Sequence, residues 1–386
     1  MRRHEIERIP WVTVFQEQAG FKDTYGGDEG WVVTESMLIR PVDRPAKTAI
    51  VWSHPIGGGA FLPIMGALAH AGHHVVFCNG RYRGNDTALI MEKCVVDLGA
   101  AIRDLRRRFG YQRIVLGGWS GGGSLALFYQ EQAERPSVTA TPAGDPPDLT
   151  RESLVPGEAL LIVAAHVSRA VTLTECLDPA VLDESDPDER DPALDLYAGS
   201  RTPPYEPDFV ARYRAAQVER NRRITAWVRE KLEGLRAAGR PHDEHCFVVH
   251  GTNADPRWLD ASLDPNERTP GTSWLGDPRI SNLSPIGLAR FTSLRSWLSQ
   301  WSFDASNAHG ERNAAGVSVP ALVVGNGADE VCTPSHLDRL YAAIPHDRKE
   351  RATIPGARHY YAGQREELAA CVARCGAWLE AQGLAD

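Results

Sequence analysis

Short apolar runs alternate with segments of helical period over the first 165 residues of the chain. Trp31 to Arg40 reads as a strand. Thr48-Ala-Ile-Val-Trp-Ser53 and His74-Val-Val-Phe-Cys78 are apolar at nearly every position, as strands buried on both faces are. Between and after them, Phe61 to Ala71 and Met91 to Phe109 repeat their apolar residues at helical spacing, with Arg103, Arg106, Arg107 and Arg108 on the polar side. A further short strand at Arg113 to Leu116 is followed by a helix after Ser120. This alternation predicts an α/β fold, with a mostly parallel central sheet flanked by helices on both faces. Residues 1–30 carry no clear period and read as an N-terminal extension, so the first part of the core is expected over 31–165.

The rhythm then breaks. Pro136 to Pro156 is a loop by composition, and Glu158-Ala-Leu-Leu-Ile-Val-Ala-Ala-His166 restores a buried strand. Beyond it lies an acidic, proline-rich stretch from Asp178 to Pro207, whose run Asp183 to Asp191 reads as a solvated loop. Phe209 to Ala238 has helical period, and a mixed stretch holds Trp258, Trp274, Trp297 and Trp301. Strand and helix patterns resume at Val319 to Gly325, Ser335 to Ile344, Arg351 to Ile354 and Gly363 to Gln382. No repeat of solenoid period is present. The economical architecture is one α/β core, 31–165 with 316–386, and a largely helical cap inserted as 166–315.

One motif carries chemistry. Gly118-Trp119-Ser120-Gly121-Gly122 sits where the strand Arg113 to Leu116 gives way to a helix. A G-x-S-x-G pattern alone is weak in a chain with 35 glycines. At a strand-to-helix turn it is a nucleophile elbow, which lifts the serine hydroxyl clear of the backbone. Such a serine needs a base to take its proton and an acid to orient that base. Asp329 and His359 follow in the expected order, each just past a strand end, where parallel strands gather their ligand-binding loops. Glu330 is the alternative acid if the loop register differs. A developing oxyanion needs two N–H donors. Gly121 is one candidate, and the loop His54-Pro55-Ile56-Gly57-Gly58-Gly59 should supply the other, with Ile56 favoured and Gly57 the alternative.

These residues give the chain a resemblance to α/β-hydrolase-fold serine hydrolases of esterase type with a large cap. It covers about 31–165 and 316–384, and is carried by His54-Pro-Ile-Gly57, Gly118-Trp-Ser-Gly-Gly122, Asp329 in its G-x-x-D setting and Gly356-Ala-Arg-His359. The resemblance implies acyl transfer to Ser120 and hydrolysis of the acyl-enzyme by water, with no metal and no organic cofactor. One departure stands out. The family often has His-Gly in the oxyanion loop, whereas this chain has His54-Pro55, and proline has no N–H to give.

Composition narrows the partners. With 386 residues, 42% of them hydrophobic, the chain can bury a substantial core, and a net charge of −8 without a basic block argues against nucleic acid. No segment approaches the roughly 18 apolar residues of a membrane span, and the charged N-terminus lacks a signal-peptide run. Seven scattered cysteines, Cys371 and Cys375 included, read as reduced thiols rather than as a metal site, so a cytoplasmic location is expected. The expected partner is a small-molecule acyl substrate, and a homo-oligomer stays open. His54, Trp119, His166 and Arg81 are the further candidates to touch substrate, with Arg83 beside Arg81. The leading function is hydrolysis of a carboxylic ester, thioester or lactone. Carbon–carbon bond hydrolysis by the same triad and a non-catalytic small-molecule receptor are the rivals.

Overall fold

The computed structural model describes residues 3–17, 29–199 and 201–385. An eight-stranded sheet organises them: β1 (Ile6–Gln16), β2 (Trp31–Pro41), β3 (Thr48–His54), β4 (Val75–Asn79), β5 (Arg113–Ser120), β6 (Ala159–Ala165), β7 (Ala321–Asn326) and β8 (Lys349–Ile354). Their spatial order is β1-β2-β4-β3-β5-β6-β7-β8. The pairs β1–β2 and β2–β4 are antiparallel, and every pairing from β4 through β8 is parallel. This is the α/β architecture with a mostly parallel central sheet anticipated from the apolar pattern.

Alternation along each strand builds two cores. On β3, Ala49 and Val51 face the layer formed by α2 (Met91–Phe109), α3 (Gly121–Glu134) and α6 (Pro334–Ala343). Ile50 and Trp52 face the opposite layer, formed by α1 (Pro63–His70) and α7 (Arg365–Ala381). Trp52 lies against Gly117 of β5, where a Cβ would come within 2.3 Å of the indole.

The insertion leaves β6 and returns to β7. It contains α4 (Arg169–Cys176), the 31-residue α5 (Pro207–Ala237), several shorter helical turns and a three-residue ribbon pairing Cys246–Val248 with Phe291–Ser293. It has its own core, in which Leu173, Ile224, Val228 and Leu232 pack on the fully buried Trp297 and Trp301. The acidic run around 183–191, expected as a solvated loop, instead forms a small antiparallel ribbon of Val181–Asp183 with Asp186–Arg190. Among the described residues, no helix is long and apolar enough to cross a membrane.

The N-terminal reading needs correction. Ile6–Gln16 is an edge strand paired along its whole length with β2, rather than an extension outside the core. Its period was blurred because the buried side carries Trp11 and Thr13 while the solvent side carries Val12 and Val14. Polar and apolar residues thus fall on both faces. The remainder of that reading, 1–2 and 18–28, lies outside the described residues.

Candidate active site

β5 ends at Ser120 and α3 begins at the next residue, so the chain reverses direction within one peptide. Ser120 holds φ 53° and ψ −127°, a strained conformation for a residue with a side chain. The flanking glycines are required by close approach. A Cβ on Gly118 would lie 2.5 Å from the Cα of Gly123, and one on Gly122 would lie 2.2 Å from the Ser53 carbonyl oxygen. The elbow is therefore clamped against the end of β3. Gly121 is the first residue of α3, and its amide sits at the positive end of that helix.

Asp329 lies in the loop after β7 and His359 in the loop after β8. Asp329 Oδ1 accepts the amides of Val331 and Cys332, both at 2.8 Å, and Oδ2 accepts His359 Nδ1–H at 2.9 Å. Both side chains are buried. With Nδ1–H committed to the carboxylate, Nε2 of His359 is left as a proton acceptor. Trp119 braces the imidazole from below: the ring centroids are 4.6 Å apart and its Nε1–H donates to the His359 carbonyl at 3.3 Å. The two loops are tied together by Asn326, which accepts the Tyr361 hydroxyl at 2.5 Å and donates to the Arg358 carbonyl at 3.0 Å. Glu330, the alternative acid, does not bond the imidazole. Burial and the adjacent Asp329 push its carboxyl up, and its carbonyl accepts Trp258 Nε1–H at 2.8 Å.

Ser120 and His359 face one cavity of about 260 Å³ roofed by the insertion. Leu62, Trp119, Trp258, Trp274 and Leu288 form its apolar wall, and His54, His166, Arg169, Asp255 and Arg257 its polar wall. The tryptophans of the insertion thus divide: Trp258 and Trp274 reach the cavity, while Trp297 and Trp301 build the core of the insertion. His54 and His166 are both held neutral by burial, with the positive charge of Arg169 reinforcing the effect. His54 is lowered to about 3, and His166 falls well below the usual range, with His336 adding to the shift. His166 Nδ1 has no hydrogen-bond partner among the described groups.

Two arginines on this wall were not singled out from sequence. Arg169 donates to Gln300 at 2.9 Å and to Asp86 at 2.5 Å, and its guanidinium stacks 4.2 Å from the Trp301 ring. Arg257 joins Asp255, Glu175 and Thr333. Glu175 is held well below the usual carboxylate range, because Arg257, His336 and Arg214 together outweigh its burial. No local pattern distinguishes these arginines from the many on the surface, since their partners come from distant segments.

The amides expected as donors in the loop after β3 are engaged within the fold. Gly57 N–H closes a tight turn onto the His54 carbonyl at 2.8 Å. Ile56 N–H turns back to His54 Nδ1 at 3.4 Å. Gly58 N–H is engaged by Asn79 Oδ1 at 2.7 Å. Arg81 is also corrected. Its side chain is wholly buried and held by Asp97, with N–O distances of 2.7 to 3.2 Å, and by Glu17, so it does not line the cavity. Arg83 is a surface residue paired with Glu35.

No family model and no curated protein matches the chain. Among solved structures it is similar to the esterase domain of a Rhodothermus marinus protein, at 14% identity over 98% of each chain with a TM-score of 0.46. It is also similar to brefeldin A esterase, described as a bacterial homologue of human hormone-sensitive lipase, at 12% identity over 100% of this chain and 77% of that one, TM-score 0.46. Est1E from Butyrivibrio proteoclasticus matches at 13% identity over 91% and 95% of the two chains, TM-score 0.46. Overlaps this loose carry no chemistry across to this chain.

Proposed function

We propose that this chain is a serine hydrolase that cleaves a carboxylic ester, thioester or lactone through an acyl-enzyme on Ser120. The observation that carries the reading is the buried Asp329–His359 hydrogen bond at the edge of the cavity that Ser120 also lines. His359 Nε2 takes the proton of Ser120 as its Oγ attacks the acyl carbon, then delivers that proton to the departing alcohol or thiol. Water, deprotonated by the same imidazole, then attacks the acyl-enzyme, and the proton returns to Ser120 as the acid leaves. Asp329 stabilises the imidazolium in both halves. The amide of Gly121, at the N-terminus of α3, meets the negative charge on the carbonyl oxygen. A mostly apolar cavity of about 260 Å³ suits a small acyl substrate rather than a polymer.

The test is turnover of p-nitrophenyl acyl esters of increasing chain length, with fluorophosphonate labelling and Ser120→Ala as control. Labelling and turnover present in wild type and absent from Ser120→Ala support the reading. Turnover that persists in the variant removes Ser120 from the chemistry. Labelling without turnover of any ester redirects the site to carbon–carbon bond hydrolysis or to ligand binding.

A further inference from the structure

We propose that the imidazole of His54 donates the second hydrogen bond to the oxyanion, through Nε2–H, opposite the amide of Gly121. The inference rests on the serine-hydrolase reading above and adds one residue to its machinery.

The hole needs a second donor, and the loop after β3 does not present one by the usual route. Pro55 has no N–H, and the amides of Ile56, Gly57 and Gly58 turn to His54 Nδ1, the His54 carbonyl and Asn79 Oδ1. The contact that withdraws Ile56 also fixes the imidazole. A ring nitrogen that accepts a backbone N–H carries no proton, so the proton of a neutral His54 sits on Nε2. That nitrogen is at the elbow: a Cβ built on Gly121 would lie 3.1 Å from it. Burial, with Arg169 and His359 nearby, keeps the ring uncharged. A neutral imidazole of this kind donates one aimed hydrogen bond and does not compete with His359 for the serine proton. His166 Nε2 is also near, 3.4 Å from the same point, but its Nδ1 has no partner among the described groups to hold its proton on Nε2. Of the two histidines, only His54 has its tautomer set by the fold.

Two substitutions separate a donor from a loop-ordering residue. In His54→Gln the amide nitrogen reaches the Nε2 position and keeps a donor there. In His54→Asn the amide oxygen takes the place of Nδ1 and can still receive Ile56 N–H, but nothing is left to donate at the elbow. For the p-nitrophenyl ester that wild type turns over fastest, His54→Asn is expected to lose about 100- to 1,000-fold in kcat with KM changed less than about threefold, and His54→Gln to retain most of the rate. Fluorophosphonate inactivation rates should follow the same order. His54→Asn equal to or better than His54→Gln overturns the donor role and leaves His54 as an organiser of the loop. Wild-type protein that neither labels nor turns over any ester removes the hydrolase reading itself, and this inference with it. Should both variants fail to fold, 15N spectra of the wild-type histidines decide: an Nε2–H tautomer of His54, with the proton shifting downfield on binding a boronic acid, supports the proposal, and an Nδ1–H tautomer overturns it.

Discussion

Asp329 Oδ2 accepts a hydrogen bond from His359 Nδ1 at 2.9 Å, while the other carboxylate oxygen is held by two backbone amides. The acid is thereby fixed in position before any substrate arrives, and it in turn fixes which imidazole nitrogen is free. Asp329→Asn keeps the shape but offers an amide that does not favour this tautomer. Ester turnover is expected to fall on the order of ten-thousandfold, with the fold intact by circular dichroism. Glu330→Gln should stay within about tenfold of wild type, because its carboxyl does not bond the ring. Comparable losses in the two variants would mean that the loop, rather than Asp329, orients the base.

The elbow makes a prediction about stability alone. Gly122 lies so close to Ser53 that an added Cβ would sit 2.2 Å from its carbonyl oxygen, a backbone atom that cannot rotate away. Gly122→Ala must push α3 off β3, and overpacking of this kind costs about 1–3 kcal/mol or more. Urea unfolding should show a lower midpoint with an unchanged slope. An unchanged midpoint would show that the elbow has slack which its geometry does not suggest.

Much of the frame was legible because parallel register turns sequence order into proximity. Asn326 pairs with Ile354, so Asp329 and His359, three and five residues beyond, emerge side by side on adjacent loops. The elbow was legible for a different reason: only glycine tolerates the approach of β3 and β6 around Ser120. What stayed hidden depends on partners set by tertiary contact. Nothing local says that Gly57 N–H returns to the His54 carbonyl, or that Arg81 turns inward to Asp97. β1 was missed because its exposed valines break the alternation that marks a half-buried strand. In the insertion, Trp258 and Trp297 look alike in sequence, yet one faces the cavity and the other the core.

The corrected position of Arg81 gives a clean separation of stability from catalysis. Its guanidinium is buried against Asp97 and Glu17, away from the cavity wall. Arg81→Met leaves a buried carboxylate unpaired, and breaking a pair of this kind costs about 3–5 kcal/mol. The melting temperature should drop by many degrees, while KM and kcat per folded molecule stay near wild type. A raised KM with unchanged melting would return Arg81 to substrate binding.

Buried neutral histidines make the fold acid-sensitive. His54 is lowered to about 3, His73 and His309 to about 4, and His166 well below its usual range, in each case chiefly by burial. Below the ordinary histidine pKa of about 6.5, the unfolded chain takes up protons that the folded chain refuses. Stability therefore falls as pH drops from about 6.5 towards 4, and is regained above that window. At pH 5 His54 alone should contribute a loss of about 2 kcal/mol. Melting measured at pH 7 and pH 5 should show the decline, reduced in His54→Gln. A melting temperature that is flat over this range would mean that these rings accept protons in place.

His166 carries opposite expectations for stability and function. Its Nδ1 is buried without a hydrogen-bond partner among the described groups, on the polar wall beside the elbow. Leaving such an atom unmade costs about 1–3 kcal/mol, and an apolar side chain of similar size avoids that cost. His166→Leu is therefore expected to melt at the same or a higher temperature. If the ring also meets a polar group of the substrate through Nε2, the nitrogen beside the elbow, the same change should raise KM by about tenfold or more for esters that carry such a group, and leave unsubstituted p-nitrophenyl esters little affected. Higher stability with no change in KM across both kinds of ester would make His166 a packing residue, and the selectivity of the cavity would then have to come from Arg169, Arg257 and the tryptophans.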